Sequence, residues 1–408
     1  MASFYIPLTG LESDSTALNT IANNLANLNT TGYKSQEVRF ADTFYQELAQ
    51  SGSGNLIQLG SGVSVAGIEN QFTQGSLAAT GNSTDVAING NGFFVLNNGG
   101  TNLYTRDGNF GLDFNGNLTT QEGLHVMGYP AVGGIVNTNS PLTNITIPVG
   151  QVEPPNASTK FGMTANLNSA AAVGTTVPGQ ITLYDSLGTS HVATVTYTKT
   201  ATNSWTYSIA LPAGESTAAV NNTGTLTFDS SGNLTSPAAN VAGIGFTGMT
   251  DGAANMSFTW NILGASGKPT LTQVSAASAV SATTQDGYPS GQYQGFSITA
   301  DGTVNATFAN GQQLAVGKLA LASVVNLEGL HALGNGTYAT TQASGTASIG
   351  TSGSGGLGGF QDAALEQSNV NISAEFSNLI IAQRAFEANS KAVTTFDTVA
   401  QETINMVH

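Results

Sequence analysis

Apolar residues recur at intervals of seven at both ends of the chain. The series near the start is Leu11, Leu18 and Leu25, with Ile21 and Leu28 three residues after its later members. The series near the end is Ile372, Leu379, Phe386, Val393, Ala400 and Val407. This is the a/d spacing of a coiled-coil seam. The pattern predicts helices over residues 1–30 and 371–408, with these side chains in their contact surfaces.

The first predicted helix is rich in asparagine. Within NTIANNLANLNTTGYKSQ (19–36) the apolar positions have helical spacing, yet asparagine is a poor helix former. Each predicted helix has one apolar stripe to bury. The simplest arrangement packs the two helices on each other, and the alternative docks each helix on the β domain beside it.

The chain between the helices has the pattern of β structure. Short runs rich in Val, Ile, Thr, Phe and Tyr are separated by glycine-containing turns, as in DVAINGNGFFVL (85–96) and GTLTFDSSGNL (224–234). Such spacing is typical of sandwiches or small barrels. The sequence therefore predicts an α+β multidomain protein, with a coiled-coil-like pair of terminal helices and β-rich domains between them.

Two glycine-rich segments lie just inside the helical ends. They are AQSGSGNLIQLGSG (49–62) and GTSGSGGLGG (350–359). Segments of this composition are typical of flexible linkers. The glycines predicted to act as a hinge before the second helix are Gly353, Gly355, Gly356, Gly358 and Gly359.

The composition of the chain excludes several classes of binding partner. Only 8% of residues are charged and the net charge is -15, with nine basic residues in all. Nucleic-acid and anionic-lipid partners need clustered Lys or Arg, so neither is expected. The chain has no cysteine, no apolar run long enough to span a bilayer, and a start without the features of a cleaved secretory signal. A weakly charged polar surface suits a protein packed among copies of itself.

Several short patterns resemble catalytic or metal-binding motifs, but the residues around them lack what each motif requires. Gly243, Gly245 and Gly248 match a dinucleotide fingerprint, but no helical pattern follows. Asp113 begins a calcium-like spacing whose sixth and twelfth positions are leucines. The four histidines are far apart in sequence, and no G-x-S-x-G is present. The sequence predicts no catalytic residue, cofactor or metal, and so no enzyme.

Both ends of the chain resemble the bacterial flagellar rod and hook proteins. The resemblance is carried by NTIANNLANLNTTGYKSQ near the start and by ALEQSNVNISAEFSNLIIAQRAFEANSKAVTTFDTVAQETIN (364–405) near the end. GSLAATGNSTDVAINGNGFFVL and YTRDGNFGLDFNGNL (104–118) are similar to the inner β domain of that family. The stretch ITLYDSLGTSHVATVTYTK resembles the outer domain of the hook members, and the distal rod members are the alternative.

The resemblance implies two nested β domains. The implied parts are a helical core (1–30 and 371–408), connecting segments (31–70 and 351–370), an inner β domain (71–149 and 286–350) and an outer β domain inserted at 150–285.

The resemblance also implies a mechanical function. Many copies would form a curved, flexible tube, the hook, which acts as a universal joint between rod and filament. The implied partners are further copies, the rod, hook-cap and hook–filament junction proteins, and the flagellar type III export apparatus. The implied location is the extracellular flagellum, reached without a cleaved signal peptide. Phe40 and Phe44 are candidates for an export signal or for packing. A secreted β-rich adhesin or surface-layer protein is the alternative class.

Overall fold

A computed structural model describes residues 4–50, 56–264 and 266–406. The terminal helices are α1 (Tyr5–Ala26) and α2 (Ile372–Met406). Helix α1 is shorter than predicted, because the chain turns after Ala26 and Leu28 lies in that turn. The Asn27 side chain contributes to this end by donating from Nδ2 to the Asn23 carbonyl at 3.0 Å. Val407, the last member of the predicted series, lies outside the described residues.

The chain divides into two compact units. Unit 1 comprises Met1–Val149, Gly295–Ala306 and Leu314–His408, and unit 2 comprises Gly150–Gln294 and Thr307–Gln313. Unit 2 extends past the predicted limit of 285. The reason is that the strand at Val152–Glu153 pairs with Gly291 and Gln292, and Ala309 N–H donates to the Gln292 carbonyl at 2.8 Å.

Unit 1 contains both helices and most of the short strands. Those before residue 150 are β1 (Gln36–Asp42), β2 (Tyr45–Gln50), β3 (Leu56–Gly60), β4 (Val63–Asn70), β5 (Leu77–Ala79), β6 (Val86–Asn89), β7 (Phe93–Asn98), β8 (Thr101–Thr105), β9 (Gly111–Leu112), β10 (Leu118–Thr119), β11 (His125–Val132), β12 (Ile135–Val136) and β13 (Thr143–Asn144).

Unit 2 contains the next twelve strands along the chain. They are β14 (Val152–Glu153), β15 (Lys160–Asn166), β16 (Thr176–Tyr184), β17 (Ser190–Ala201), β18 (Ser204–Ala210), β19 (Ser216–Val220), β20 (Thr223–Phe228), β21 (Leu234–Ser236), β22 (Val241–Met249), β23 (Met256–Asn261), β24 (Leu271–Thr272) and β25 (Ala279–Gln285).

The remaining strands lead back to α2. They are β26 (Gly291–Ile298), β27 (Thr303–Phe308), β28 (Gln313–Leu319), β29 (Leu321–Ser323), β30 (His331–Gly334), β31 (Thr337–Ala339), β32 (Ser348–Gly350), β33 (Gly359–Asp362) and β34 (Ala364–Glu366). In unit 1 the main sheet runs β28-β11-β7-β8-β31-β30. Strands β33 and β34 pair with β6 and β5, so the chain before α2 is bonded to the chain after α1.

Unit 2 is built on two sheets. One has the order β19-β22-β23-β15-β24 and the other β16-β17-β18-β20-β21. Alternate residues of β17 are buried, as expected when one face of a sheet covers a core. Trp205 and Trp260 are fully buried in that core. Phe161 stacks on Trp260 with ring centroids 5.9 Å apart, and Tyr207 meets it edge-on at 4.9 Å.

The predicted connecting segment after α1 is a β ribbon. Strands β1 and β4 pair antiparallel along their length, and β2 pairs with β3. The ribbon lies along α1, where Thr9 Oγ1 accepts a hydrogen bond from Val63 N–H at 3.3 Å. Of the glycine-rich segment 49–62, residues 51–55 lie outside the described residues.

The glycine-rich segment before α2 is a turn inside unit 1. Gly358 N–H donates to the Asn91 carbonyl at 2.7 Å, and Gly359 pairs with Asn89. A side chain at Gly358 would overlap the Asn89 carbonyl. Gly358 therefore permits close strand contact, and both glycines make backbone contacts within unit 1. At Gly353, Gly355 and Gly356, φ is positive and the space around Cα is open, so their hinge role stays a prediction.

Candidate functional site

The two terminal helices contact each other through small, polar and aromatic side chains. Asn389 of α2 donates from Nδ2 to Asp14 Oδ2 at 2.8 Å. Gly10 faces the same asparagine, because a Cβ at Gly10 would lie 2.7 Å from Asn389 Nδ2. The rings of Phe4 and Phe396 are 6.2 Å apart further along the pair. Residues 375, 382, 389 and 396 form a series at intervals of seven on α2, and Ala382 is its buried member.

The predicted seam residues lie beside this contact. On α1, Ile21 is buried, and the three leucines at 11, 18 and 25 are half-buried, as is Leu28 beyond the helix end. On α2, Leu379 and Val393 are half-buried, whereas Ile372, Phe386 and Ala400 are exposed. Polar contacts between the helices run through positions 10, 14 and 24 of α1, beside the predicted leucines, and the seam itself stays a prediction.

Asn24 holds the base of the helix pair. This residue is 1% exposed, and its Oδ1 accepts from Gln36 N–H at 2.8 Å and from the Tyr33 hydroxyl at 3.2 Å. Nδ2 donates to the Gln36 carbonyl at 2.8 Å and to Glu375 Oε1 at 3.0 Å. One amide therefore joins α1, the start of β1 and the first turn of α2. The helix-disfavouring asparagine is thus used for tertiary hydrogen bonds.

A buried charged cluster lies between the two helix-to-body connections. Glu366 Oε1 accepts from Lys34 Nζ at 2.6 Å and from Gly75 N–H at 2.9 Å. Glu366 Oε2 lies 3.3 Å from Arg106 Nη1, and Arg106 Nη2 donates to the Gly90 carbonyl at 2.8 Å. Burial lowers the pKa of Lys34, and the adjacent Glu366 carboxylate partly opposes that shift. We call Lys34, Arg106 and Glu366 the basal cluster.

The basal cluster could hardly be predicted from the sequence. Lys34 and Glu366 occur within the two terminal motifs, but nothing in either motif indicates that residues 332 positions apart meet. The chain has only nine basic residues. Their scarcity is the one sequence feature that makes a buried Lys or Arg notable, and it becomes informative only when the structure shows which of them are buried.

Unit 2 contains a second charged cluster, around His191. Its Nδ1 lies 2.6 Å from Glu215 Oε2, and its Nε2 lies 3.1 Å from Asp185 Oδ2 and 3.6 Å from Asp251 Oδ2. Within the described residues, the His191 group with Asp185 and Asp251 brings three metal-type donor atoms within 4.8 Å of one another. The carboxylates bond the imidazole itself, so the contacts are those of an ion-pair cluster.

The His191 cluster predicts that unit 2 loses stability as pH rises. Burial, the largest influence, lowers the pKa of His191, but hydrogen bonds and charges from Glu215 and Asp185 outweigh it and raise the pKa overall. The stabilisation is therefore complete below the unfolded pKa of about 6.5 and is lost as pH rises through the higher folded pKa. Both tryptophans of the chain lie in unit 2, so their fluorescence during heating reports its unfolding.

The matched variants are His191→Gln and His331→Gln, the second at an exposed histidine of unit 1. We expect the midpoint temperature to fall from pH 6 to pH 9 in the wild type and in His331→Gln. In His191→Gln this dependence should largely disappear. An equal pH dependence in all three proteins would contradict the assignment.

Among residues 4–50, 56–264 and 266–406, neither helix has the length and apolar character needed to cross a membrane.

Three family models match separate parts of the chain. Residues 4–34 match the flagella basal body rod protein family, residues 165–288 match the flagellar basal body protein FlaE D2 domain, and residues 361–406 match the flagellar basal body rod FlgEFG protein C-terminal family. The first and third matches contain α1 with Lys34 and α2 with Glu366, and the second lies in unit 2.

Characterised relatives match along the whole chain. The flagellar hook protein FlgE of Salmonella typhimurium strain LT2 is 36% identical over 423 residues, covering 99% of this chain and all of the relative. The flagellar hook protein FlgE of Treponema pallidum strain Nichols is 32% identical over 463 residues, covering 100% of this chain and 99% of the relative. The crystal structure of Helicobacter pylori flagellar hook protein FlgE2 matches with a TM-score of 0.54 and 15% identity, over 71% of this chain and 99% of that chain. That structural match supports the fold.

Proposed function

Since this chain belongs to the flagellar hook protein family, and is a structural subunit of the hook, we propose that its copies polymerise into a curved, flexible tube that passes torque from rod to filament. The observation that carries the proposal is the full-length match to hook proteins, which includes both ends and the outer unit. The distal rod alternative is not favoured, because the match to hook relatives spans the chain. An adhesin or surface-layer protein would not account for matches at both helical ends.

We place the terminal helices in the tube wall, as a coiled-coil-like pair that neighbouring subunits bury further. Large apolar side chains on α2 are exposed in the single chain, among them Phe376, Ile380, Ile381 and Ile404. Burial of such surface provides roughly 25 cal/mol per Å². The predicted seam residues that are half-buried or exposed, Leu11 and Phe386 among them, have area left to contribute to such contacts.

The β units would form the outer layers of the tube, with unit 2 as the outer domain nested in the inner one. Charged residues are scarce, so neighbouring β surfaces would slide without breaking salt-bridge networks. The turn at Gly353, Gly355 and Gly356 is the proposed source of local compliance. Partners would be the rod, hook-cap and hook–filament junction proteins. Export would use the type III apparatus, and the exposed Phe40 and Phe44 are available to it.

The direct test is to image the purified chain by negative stain after raising its concentration. Curved tubes are expected. A protein that stays monomeric under all conditions in which hook proteins polymerise would contradict the proposal.

Leu25→Asp is expected to block tube formation. Leu25 is half-buried beside the helix contact, and a carboxylate placed in a subunit interface costs several kcal/mol without a partner. Light scattering should show no polymerisation, while tryptophan fluorescence should show unit 2 folded. Asn19→Asp is the control, because Asn19 is exposed on the same helix and gains the same charge. If Leu25→Asp formed normal tubes, Leu25 would not lie in a subunit interface.

A further inference from the structure

The basal cluster combines three separate parts of unit 1. Lys34 lies between α1 and β1, Glu366 is the last residue of β34 before α2, and Arg106 follows β8. The side chains of Lys34 and Glu366 are fully buried, and that of Arg106 is 5% exposed. Both helix-to-body connections therefore meet the inner β structure at one buried charged group.

Glu366 is the shared partner in this cluster. Its two oxygens contact the Lys34 ammonium, the Arg106 guanidinium and the Gly75 amide. Without this carboxylate, two cations would stay buried and lose the anion that both contact. Arg106 already has one unsatisfied group, because its Nε is buried with no hydrogen-bond partner among the described residues.

Backbone hydrogen bonds place both connections at the same point. Gly32 N–H donates to the Glu366 carbonyl at 2.7 Å. Asn369, three residues after Glu366, accepts from Ser35 N–H at 2.7 Å and donates to the Gln71 carbonyl at 2.7 Å. The chain leaving α1 and the chain entering α2 are thereby held side by side.

Stability alone is a poor explanation for such a cluster. Desolvation of buried ions offsets much of their attraction, and well-packed apolar replacements are often as stable or more so. Buried ions instead fix the relative positions of the segments that carry them, because displacing one partner leaves the other charge uncompensated. A rigid joint needs that property.

We propose that Glu366 is the positioning residue of a load-bearing joint, which holds both terminal helices at one fixed point on the inner β domain. This inference rests on the proposed function, in which torque passes between the tube wall and the β layers. Bending compliance would then lie outside the joint, in turns and in contacts between subunits.

The test measures the freedom of α2 relative to the inner domain. The chain has no cysteine, so Asn98→Cys and Thr398→Cys, both at exposed positions of unit 1, accept spin labels specifically. Pulsed electron paramagnetic resonance would give the label-to-label distance distribution in the free chain and in tubes diluted with unlabelled wild type. Glu366→Gln is expected to widen the distribution about twofold, with tryptophan fluorescence of unit 2 unchanged.

Two further variants make the result decisive. Glu387→Gln removes an exposed carboxylate of α2 whose ion-pair partner among the described residues is Arg384 at 3.2 Å, so its distribution should match the wild type. Glu366→Asp keeps the charge but shortens its reach, and should widen the distribution even if Glu366→Gln fails to fold. If both Glu366 variants gave distance distributions as narrow as the wild type, the proposal that Glu366 holds the joint would be wrong. Absence of wild-type tubes would instead overturn the proposed function, and the free-chain distances would still test the joint.

Discussion

Replacing Asn24 by leucine is expected to weaken the docking of the terminal helices and to impair tube formation strongly. Leucine has a similar size but none of the hydrogen-bonding groups that join α1, β1 and α2. The N–H and carbonyl of Gln36 would lose their partner at 2.8 Å, and Glu375 would lose a donor at 3.0 Å. A buried polar group left unsatisfied costs about 1–3 kcal/mol, and because Gln36 and Glu375 are only half-buried, the three groups together cost on the order of 3–5 kcal/mol.

The measurement is the critical concentration for polymerisation, followed by sedimentation. A loss of about 3–5 kcal/mol corresponds to an increase of roughly a hundredfold or more. Asn19→Leu is the matched control, since Asn19 is exposed on the same helix, and surface changes usually stay within about 0.5 kcal/mol. If Asn24→Leu polymerised at the concentration of Asn19→Leu, the amide would not be what holds the helix base.

Replacing Gly10 by leucine is expected to raise the critical concentration about tenfold. A Cβ at this position would lie 2.7 Å from Asn389 Nδ2 and 2.9 Å from its Cγ, so a longer side chain forces the helices apart. Overpacking of this kind costs about 1–3 kcal/mol. Removing a helical glycine returns up to about 1 kcal/mol, which reduces the net effect.

Two related variants separate the steric cause from helix propensity. In Gly10→Ala the asparagine side chain can turn aside, so the smaller clash and the gain in propensity should nearly cancel. Combining Gly10→Leu with Asn389→Ala removes the obstructing amide and should recover much of the lost assembly. A double variant that assembled no better than Gly10→Leu alone would indicate that Gly10 acts elsewhere than at the helix contact.

The sequence by itself determined the kinds of element and their order. Seven-residue intervals of apolar side chains at the ends, and turn-separated β runs between them, depend only on local periodicity. Both helices are present, although α1 ends at Ala26 because the chain turns to bring Tyr33 and Gln36 against Asn24. The family resemblance was also readable from local motifs, and relatives along the full chain confirm it.

Which helix faces meet was decided by the tertiary structure. An apolar stripe on a helix covers a broad arc, so residues beside the predicted positions, such as Gly10 and Asn24, can also face the second helix. The choice depends on how closely the backbones can approach, which favours Gly10, and on where polar groups find partners, which favours Asn24. Neither condition is visible without the second helix.

The basal cluster and the glycine-rich turn show the same limit. Glu366 pairs through β34 with β5 and accepts a backbone hydrogen bond from Gly32, which places it beside Lys34, and contacts between such distant segments leave no local pattern. Gly358 resembles a linker residue in sequence, but it is small because the Asn89 carbonyl occupies the space of a side chain. Periodicity specified the elements of this protein, whereas long-range strand pairing and close backbone contact determined how they join, because those contacts depend on residues that are neighbours only after folding.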